Sequence, residues 1–544
     1  MSCPDDLTGS RHQPTPSRFW NWFQVGLVFV AFASYGTWRS PVPGVNEPHF
    51  LGKARHFWEP SWCARDLFLE SSNTHWVFYA TLGSTTPVLS FPQAAWVGRF
   101  LVWWSLAISW GALARQSATG RWGPSLSAAI FLGLSAVGNF SGEWLIGGVE
   151  AKGFAYAAVF LALALAMQRR PYWAAAACGI ATSFHPVIGV WTIVALGGAL
   201  LAPAVARHWV QRLGSANAGS APVAGEPPGS ESPRQVSAGT IVRGVAICLV
   251  CALPGLIPAV NVLLLDGTAP EVVQEANRLQ VFERLKHHLD PTQFPARAWW
   301  LSGGLVVAWL ALLWSGAASN SVWLFQRFVA ATLLIAGAGL AIGFGPRWAG
   351  LMKFYPFRLA DLFVPIAVSL LAADLLSRRT RFGLAAHPGG AWGTLVLRSL
   401  VVLWIVTWIV RSPPPDRSPT RWTTRQLSDW EDVCRWVSEN TPADALCLTP
   451  TQRNYTFKWY AQRAEYVIYK DCPQDARSLV EWDRRMDEIA AWRKRHARSG
   501  ITRTALAELR RTTGVEFVVD WYIQKYRVPP LYRNRSFRVY PTRE

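Results

Sequence analysis

Long apolar runs separated by short polar stretches fill the first 410 residues or so of this chain. A helix needs about 20 predominantly apolar residues to cross the hydrocarbon layer. The runs at 20–37, 94–114, 122–137, 152–167, 172–184, 186–206, 241–264, 298–315, 322–344, 355–376 and 392–410 therefore predict about eleven transmembrane helices. The stretch 172–206 reads either as one long helix or as two. Phe184-His185-Pro186 favours two, because the residue before a proline is pushed out of helical geometry.

Charge placement supports the break. With the N-terminus inside, the cytoplasmic loops carry Arg115 and Arg121, Arg169 and Arg170, Arg207 and Arg212, Arg327, and Arg378, Arg379 and Arg381, with almost no acid. A single helix over 172–206 would put the later Arg-rich loops outside. The other side receives the loops 40–93, 138–151, 266–297 and 345–354, and these hold the acids. An odd number of spans also puts residues 412–544 outside. Residues 1–18 are polar and cytoplasmic. The first apolar run ends at Arg39 with no small-residue cleavage site, so it reads as a retained helix of the transmembrane domain 19–411. Residues 213–240, rich in Gly, Ala, Ser and Pro, read as a disordered cytoplasmic linker.

In the tail, helical patterns at 429–440, 474–497 and 503–511 alternate with β-rich runs at 445–448, 466–469, 516–519 and 537–540. The expected fold is thus an α-helical polytopic protein of the plasma (inner) membrane with a small extracytoplasmic α/β domain.

Composition fits this reading. The chain is 51% hydrophobic and 16% charged, against roughly 25% charged in soluble chains. Its 31 Trp suit the bilayer–water boundary. The net charge of +19 comes without a nucleic-acid motif, so the basic surfaces are expected to meet membrane lipid or sugar phosphates rather than nucleic acid. The cysteines lack metal-ligand spacing. Cys434, Cys447 and Cys472 share the tail and allow one disulfide there.

Three outer clusters can carry chemistry. In the first, Asn46 can cap a helix starting near Glu47-Pro48, which places His49, Lys53 and His56 on one face and Phe50, Ala54 and Phe57 on the next, an amphipathic helix at the membrane surface. Glu47 reads either as a base near the bilayer boundary or as a helix-start acid favoured by the dipole. The second groups Glu143, Glu150 and Lys152 between apolar helices, where charges cost energy unless paired or hydrated. In the third, Lys353 and Arg358 suit a phosphate, or else Arg358 pairs with Asp361 one turn on and Lys353 snorkels. His185, at the helix break, faces the same compartment. His287 and His288 are adjacent, a poor ligand geometry, and no metal site is expected there.

An acid after the first span in a long outer loop (Glu47), further acids in the next outer loop (Glu143, Glu150) and a soluble outer domain after the last span together resemble the GT-C class of integral membrane glycosyltransferases. The runs Asn46-Glu47-Pro48-His49-Phe50, Gly147-Gly148-Val149-Glu150-Ala151-Lys152-Gly153 and Glu439-Asn440-Thr441-Pro442-Ala443-Asp444-Ala445 also resemble a group of uncharacterised bacterial multi-pass membrane proteins. The GT-C resemblance implies transfer of a sugar from a polyprenyl-phosphate donor to an extracytoplasmic acceptor. Glu47 would be the base and Glu150 a second acid, while Lys152 and Arg358 would hold the lipid phosphate. His49, Lys53, Glu143, His185 and Lys353 would line the substrate. The class contains both metal-dependent and metal-independent members, so a divalent metal is left open. A transporter or flippase of a lipid-linked substrate is the main alternative. A non-catalytic assembly protein is another.

Overall fold

A computed structural model describes residues 17–118, 120–135, 140–217, 237–265, 267–314, 320–382, 399–400, 403–407, 410–411, 418–452 and 454–543. Its long apolar helices are α1 (Arg18–Arg39), α5 (Phe91–Ser117), α6 (Gly123–Ser135), α7 (Ala151–Met167), α8 (Pro171–Phe184), α9 (Pro186–Asn217), α10 (Ala238–Val260), α13 (Ala296–Trp314), α14 (Asn320–Ile342) and α16 (Arg358–Phe382). Between them lie α2 (Glu47–Trp58), α3 (Leu67–Glu70), α4 (Trp76–Ala80), α11 (Pro270–Arg278), α12 (Lys286–Leu289) and α15 (Ala349–Met352).

Each predicted span up to 376 falls on one of these helices. Among the described residues, however, six helices are long and apolar enough to cross a membrane, and α6 and α7 are apolar but shorter. The count of about eleven is therefore not confirmed. Most of the last predicted span, 392–410, lies outside the described residues, as does 218–236 of the expected linker; 213–217 close α9 and 237–240 open α10. The break at Phe184-His185-Pro186 is present: α8 ends at Phe184, His185 is extended (φ −149°, ψ 94°), and Pro186 opens α9.

Packing follows side-chain size. α7 is buried almost along its length between α5 and α8. α8 lies close against α10, where a β-carbon added at Gly255 would stand 2.0 Å from the Ser183 carbonyl oxygen, so only glycine fits. The outward faces of α10 and α13 expose Leu249, Val250, Leu253 and Ile257, and Trp300, Val307, Leu310 and Trp314. In water such a band would be an unsolved apolar patch, whereas lipid satisfies it.

The tail forms a five-stranded sheet ordered β2-β1-β3-β5-β4, from β1 (Leu446–Leu448), β2 (Ala464–Glu465), β3 (Phe517–Trp521), β4 (Tyr532–Arg533) and β5 (Phe537–Pro541). β1 runs parallel to β2 and β3, and β5 antiparallel to β3 and β4. Helices Thr424–Asn440, Ala476–His496 and Arg503–Thr513 cover it. The strand expected at 466–469 is displaced. After Tyr466 donates to the Cys447 carbonyl, the chain leaves the sheet, drawn off by Arg284, which stacks on Tyr469 and donates to the Lys470 carbonyl at 3.0 Å. Cys434, Cys447 and Cys472 are free thiols, so the disulfide allowed by the sequence is absent.

The tail does not stand apart from the membrane part. Cys63, Phe68 and Leu69 of the first outer loop enter the same core as Leu446, Tyr466, Trp482 and Val518. Arg65 reaches Glu516 at 2.9 Å, and Lys458 reaches Asp66 at 2.9 Å.

Candidate functional site

The loop between α6 and α7, expected on the outer side, is held from two sides. From below, the Asp361 carboxylate accepts from the backbone N–H of Phe140 (2.5 Å), Ser141 (2.7 Å) and Glu143 (3.3 Å) and from the Ser141 hydroxyl (2.7 Å). Asp361 is thus spent on the loop and does not pair with Arg358, as its spacing allowed. From the other side, Glu47 accepts from Val149 N–H (2.9 Å) and Gly44 N–H (2.6 Å), while Arg99 of α5 donates Nε to Oε1 (2.6 Å) and Nη2 to Oε2 (2.8 Å). Both side chains are fully buried. Gly148 is required at this contact, because a β-carbon there would lie 2.9 Å from Glu47 Oε1.

With the loop fixed, its charged side chains meet the helix break. Arg358, at the start of α16, holds Nε 2.8 Å from Glu143 Oε2 in an ion pair, donates Nη1 to His185 Nε2 (3.0 Å), and lies over the Tyr355 ring. Lys152 stands 3.3 Å from Glu143 and 3.5 Å from Glu150, above the Trp144 ring. Glu150 also accepts from Asn46 Nδ2 (2.7 Å). Asn46 therefore does not cap α2, as the sequence suggested; its side chain is turned to Glu150 instead. Trp191 of α9 donates to the Phe354 carbonyl (2.6 Å) and anchors the loop before α16. His288 donates through Nδ1 to the Ser141 carbonyl.

These groups surround one cavity of about 570 Å³. Glu143, Glu150, His49, Lys152, His185, Lys353 and Arg358, all picked out in the sequence, line it. Residues that the sequence reading missed as site residues line it too: His75, Arg284 and Lys470. The carboxylates Glu143 and Glu150 face Lys152, Arg284, Lys353, Arg358 and Lys470, so cations are in excess. Away from these charges the wall turns apolar, with Val187 and Val190 of α9, Leu256 and Val260 at the end of α10, and Leu263 just beyond it.

Two expected site residues are not in the lining. Glu47 lies behind the wall in its Arg99 fork. Lys53 is buried and donates to the carbonyls of Phe68 (2.5 Å), Leu69 (2.9 Å) and Ser71 (2.6 Å). The amphipathic surface helix is corrected accordingly: α2 buries Glu47, Leu51, Lys53 and Ala54 in the protein interior. The polar face that suggested a membrane surface is the face that organises the first outer loop.

Burial tunes the rim. Lys470 is pushed down to about 8 by burial and by the neighbouring Arg284. Burial lowers His75 to about 4 and also lowers His49, although Asp471 beside it works the other way. A divalent metal does not fit this donor set. Both lining carboxylates are tied to Arg358, Lys152 or Asn46, and among the described residues no group of three or more His, Cys, Asp or Glu is placed to hold one.

The family described as "Domain of unknown function (DUF6798)" matches residues 428–489, within the tail. No curated protein matches the chain. Similar solved structures include the apo oligosaccharyltransferase of Archaeoglobus fulgidus, at 12% identity and a TM-score of 0.45, covering 93% of this chain and 70% of that one. ArnT from Cupriavidus metallidurans in the apo state is similar at 12% identity and a TM-score of 0.37, covering 96% and 97%. The same protein bound to undecaprenyl phosphate is similar at 12% identity and a TM-score of 0.35, covering 96% and 98%. At these scores the likenesses assign no residue a role.

Proposed function

We propose that this protein is a membrane glycosyltransferase that moves a sugar from a polyprenyl-phosphate donor to an acceptor outside the cytoplasm. One observation carries the reading: a single cavity is cationic at the outer rim and apolar where α9 and α10 meet lipid. A substrate with a phosphate head and an isoprenoid tail matches both ends. As the bond between sugar and phosphate breaks, negative charge grows on the departing phosphate, and cations fixed beforehand stabilise it without reorganising. Arg358 and Lys152 suit that task because Glu143, His185 and Trp144 already hold them in place. Glu143 and Glu150 keep the cations oriented, and their remaining acceptor capacity suits sugar hydroxyls. Glu47, in this reading, positions the loop that carries Glu150 and does not touch the substrate.

The test is transfer from labelled undecaprenyl-phosphate sugars by the purified full chain in lipid nanodiscs, comparing the parent with Arg358→Ala and Glu143→Gln. Loss of transfer in both variants supports the reading. Equal transfer in all three removes the site. Binding of the lipid without transfer of any sugar points to a flippase.

A further inference from the structure

Building on the glycosyl-transfer reading, we propose that His49 is the catalytic base of this cavity and that Asp471, supplied by the C-terminal tail, positions it. His49 sits in the first turn of α2 and lines the cavity. Its Nδ1 lies 2.9 Å from Asp471 Oδ1. An ionised carboxylate only accepts, so Nδ1 carries the hydrogen and the Nε2 lone pair is left for a substrate. The ring is clamped by stacking on Phe68, centroids 4.1 Å apart, with Phe50 edge-on at 5.5 Å. A base oriented through its second nitrogen by a buried carboxylate is the arrangement that hydrolytic triads use to take a proton from a hydroxyl.

Asp471 is itself held. Its Oδ2 meets Lys458 Nζ at 2.8 Å, and Lys458 also meets Asp66 at 2.9 Å and Glu465 at 3.0 Å, all nearly fully buried. Burial alone would raise the Asp471 carboxyl, but Lys458 and His49 outweigh it and keep it well below its usual range. Buried ions are costly to hold unless each is paired. Here the carboxylates outnumber the ammonium, an excess that favours a positive charge forming on His49. Of the other lining groups, Glu143 is committed to Arg358 and Lys152, Glu150 to Asn46 and Lys152, and His185 Nε2 to Arg358, while His288, whose Nδ1 donates to the Ser141 carbonyl, and His75 pair with no carboxylate among the described residues that would orient them as a base.

In the step, the acceptor hydroxyl proton passes to His49 Nε2 while its oxygen bonds to the anomeric carbon. The bond from that carbon to the phosphate oxygen breaks, and its electron pair leaves with the polyprenyl phosphate, which gains one negative charge. The imidazolium then gives its proton to water.

Single-turnover transfer by the full chain in nanodiscs tests this, using whichever undecaprenyl-phosphate sugar the parent turns over, with undecaprenyl phosphate binding measured alongside. His49→Gln should lower the transfer rate on the order of 100-fold or more and leave binding unchanged. Asp471→Asn should cost less and move the acidic limb of the pH profile to lower pH, because the carboxylate that raises His49 is gone while Lys470, Arg284 and His75 still face it. The double variant should be no slower than His49→Gln alone. Unchanged transfer in His49→Gln, or an acidic limb unmoved in Asp471→Asn, overturns the proposal and leaves the glycosyl-transfer reading standing. If His49→Gln does not fold, the limb shift decides. A parent that transfers from no donor removes the reading and this inference together.

Discussion

Arg99 grips the Glu47 carboxylate with both arms of its guanidinium, at 2.6 and 2.8 Å, and neither side chain touches solvent. Arg99 also donates to the carbonyls of Ser40 (2.8 Å) and Pro41 (2.6 Å), so one buried fork ties the end of α1, the start of α2 and the second outer loop to α5. Removing one partner of such a pair strands the other charge, at a cost of about 3–5 kcal/mol. Glu47→Gln should therefore lower the apparent melting temperature of the purified protein sharply, while the fraction that folds keeps its transfer rate. Normal melting with transfer abolished would return Glu47 to the reacting centre.

Arg358 serves two partners at once, pairing with Glu143 and donating to His185. A lysine offers one compact ammonium in place of a planar fork. Arg358→Lys should then fail to rescue the loss seen in Arg358→Ala. Transfer rates on the order of 100-fold below the parent in both would fit the loss of a charge-stabilising donor. Full rescue by lysine would mean that charge alone matters at this position.

Lys470 gives the site a pH dependence of known sign. Its ammonium is held down to about 8, so it is protonated at neutral pH and neutral above that value. An anion bound beside it favours the protonated form. Affinity for undecaprenyl phosphate should therefore fall as pH rises from 7 to 9, roughly the window around this value, and Lys470→Met should flatten that part of the curve. Binding curves of equal slope in parent and variant would take Lys470 out of the phosphate site.

The tail and the first outer loop share a core, so they lie on one side of the bilayer. Ser61→Cys and Ser499→Cys, both at exposed positions, should react together with a membrane-impermeant maleimide in intact cells, in a chain whose native cysteines are replaced. Labelling of one without the other would break the arrangement.

Most of the helical frame was legible because burial in lipid demands unbroken apolar length, and the break at His185-Pro186 because proline restricts its neighbour. Glu143, Glu150, Lys152, Lys353 and Arg358 stood out for a related reason: charge beside long apolar runs is costly without a purpose. What the sequence hid was pairing over long distances. Nothing local marks Arg99, in the middle of an apolar helix, as the partner of Glu47, so a buried structural carboxylate looked like a free base. Lys53 misled in the same way, since helical spacing gives its face but not the carbonyls waiting on α3. Lys470 and Asp471 directly follow the run 466–469, which read as a strand. Their role depends on the chain leaving the sheet after Glu465, which β propensity does not foretell.

The contact between Lys458 and Asp66 spans 392 positions of sequence. A ribosome delivers these two residues far apart in time, with every long apolar helix after α1 emerging between them. Until the last stretch is made, the first outer loop has no cation for Asp66, and Cys63, Phe68 and Leu69 lack the tail side of the core they share. Biogenesis of this protein is therefore a matter of waiting: a chain stopped short of its tail is left without a wall of its cavity and with a raw apolar seam for quality control to find.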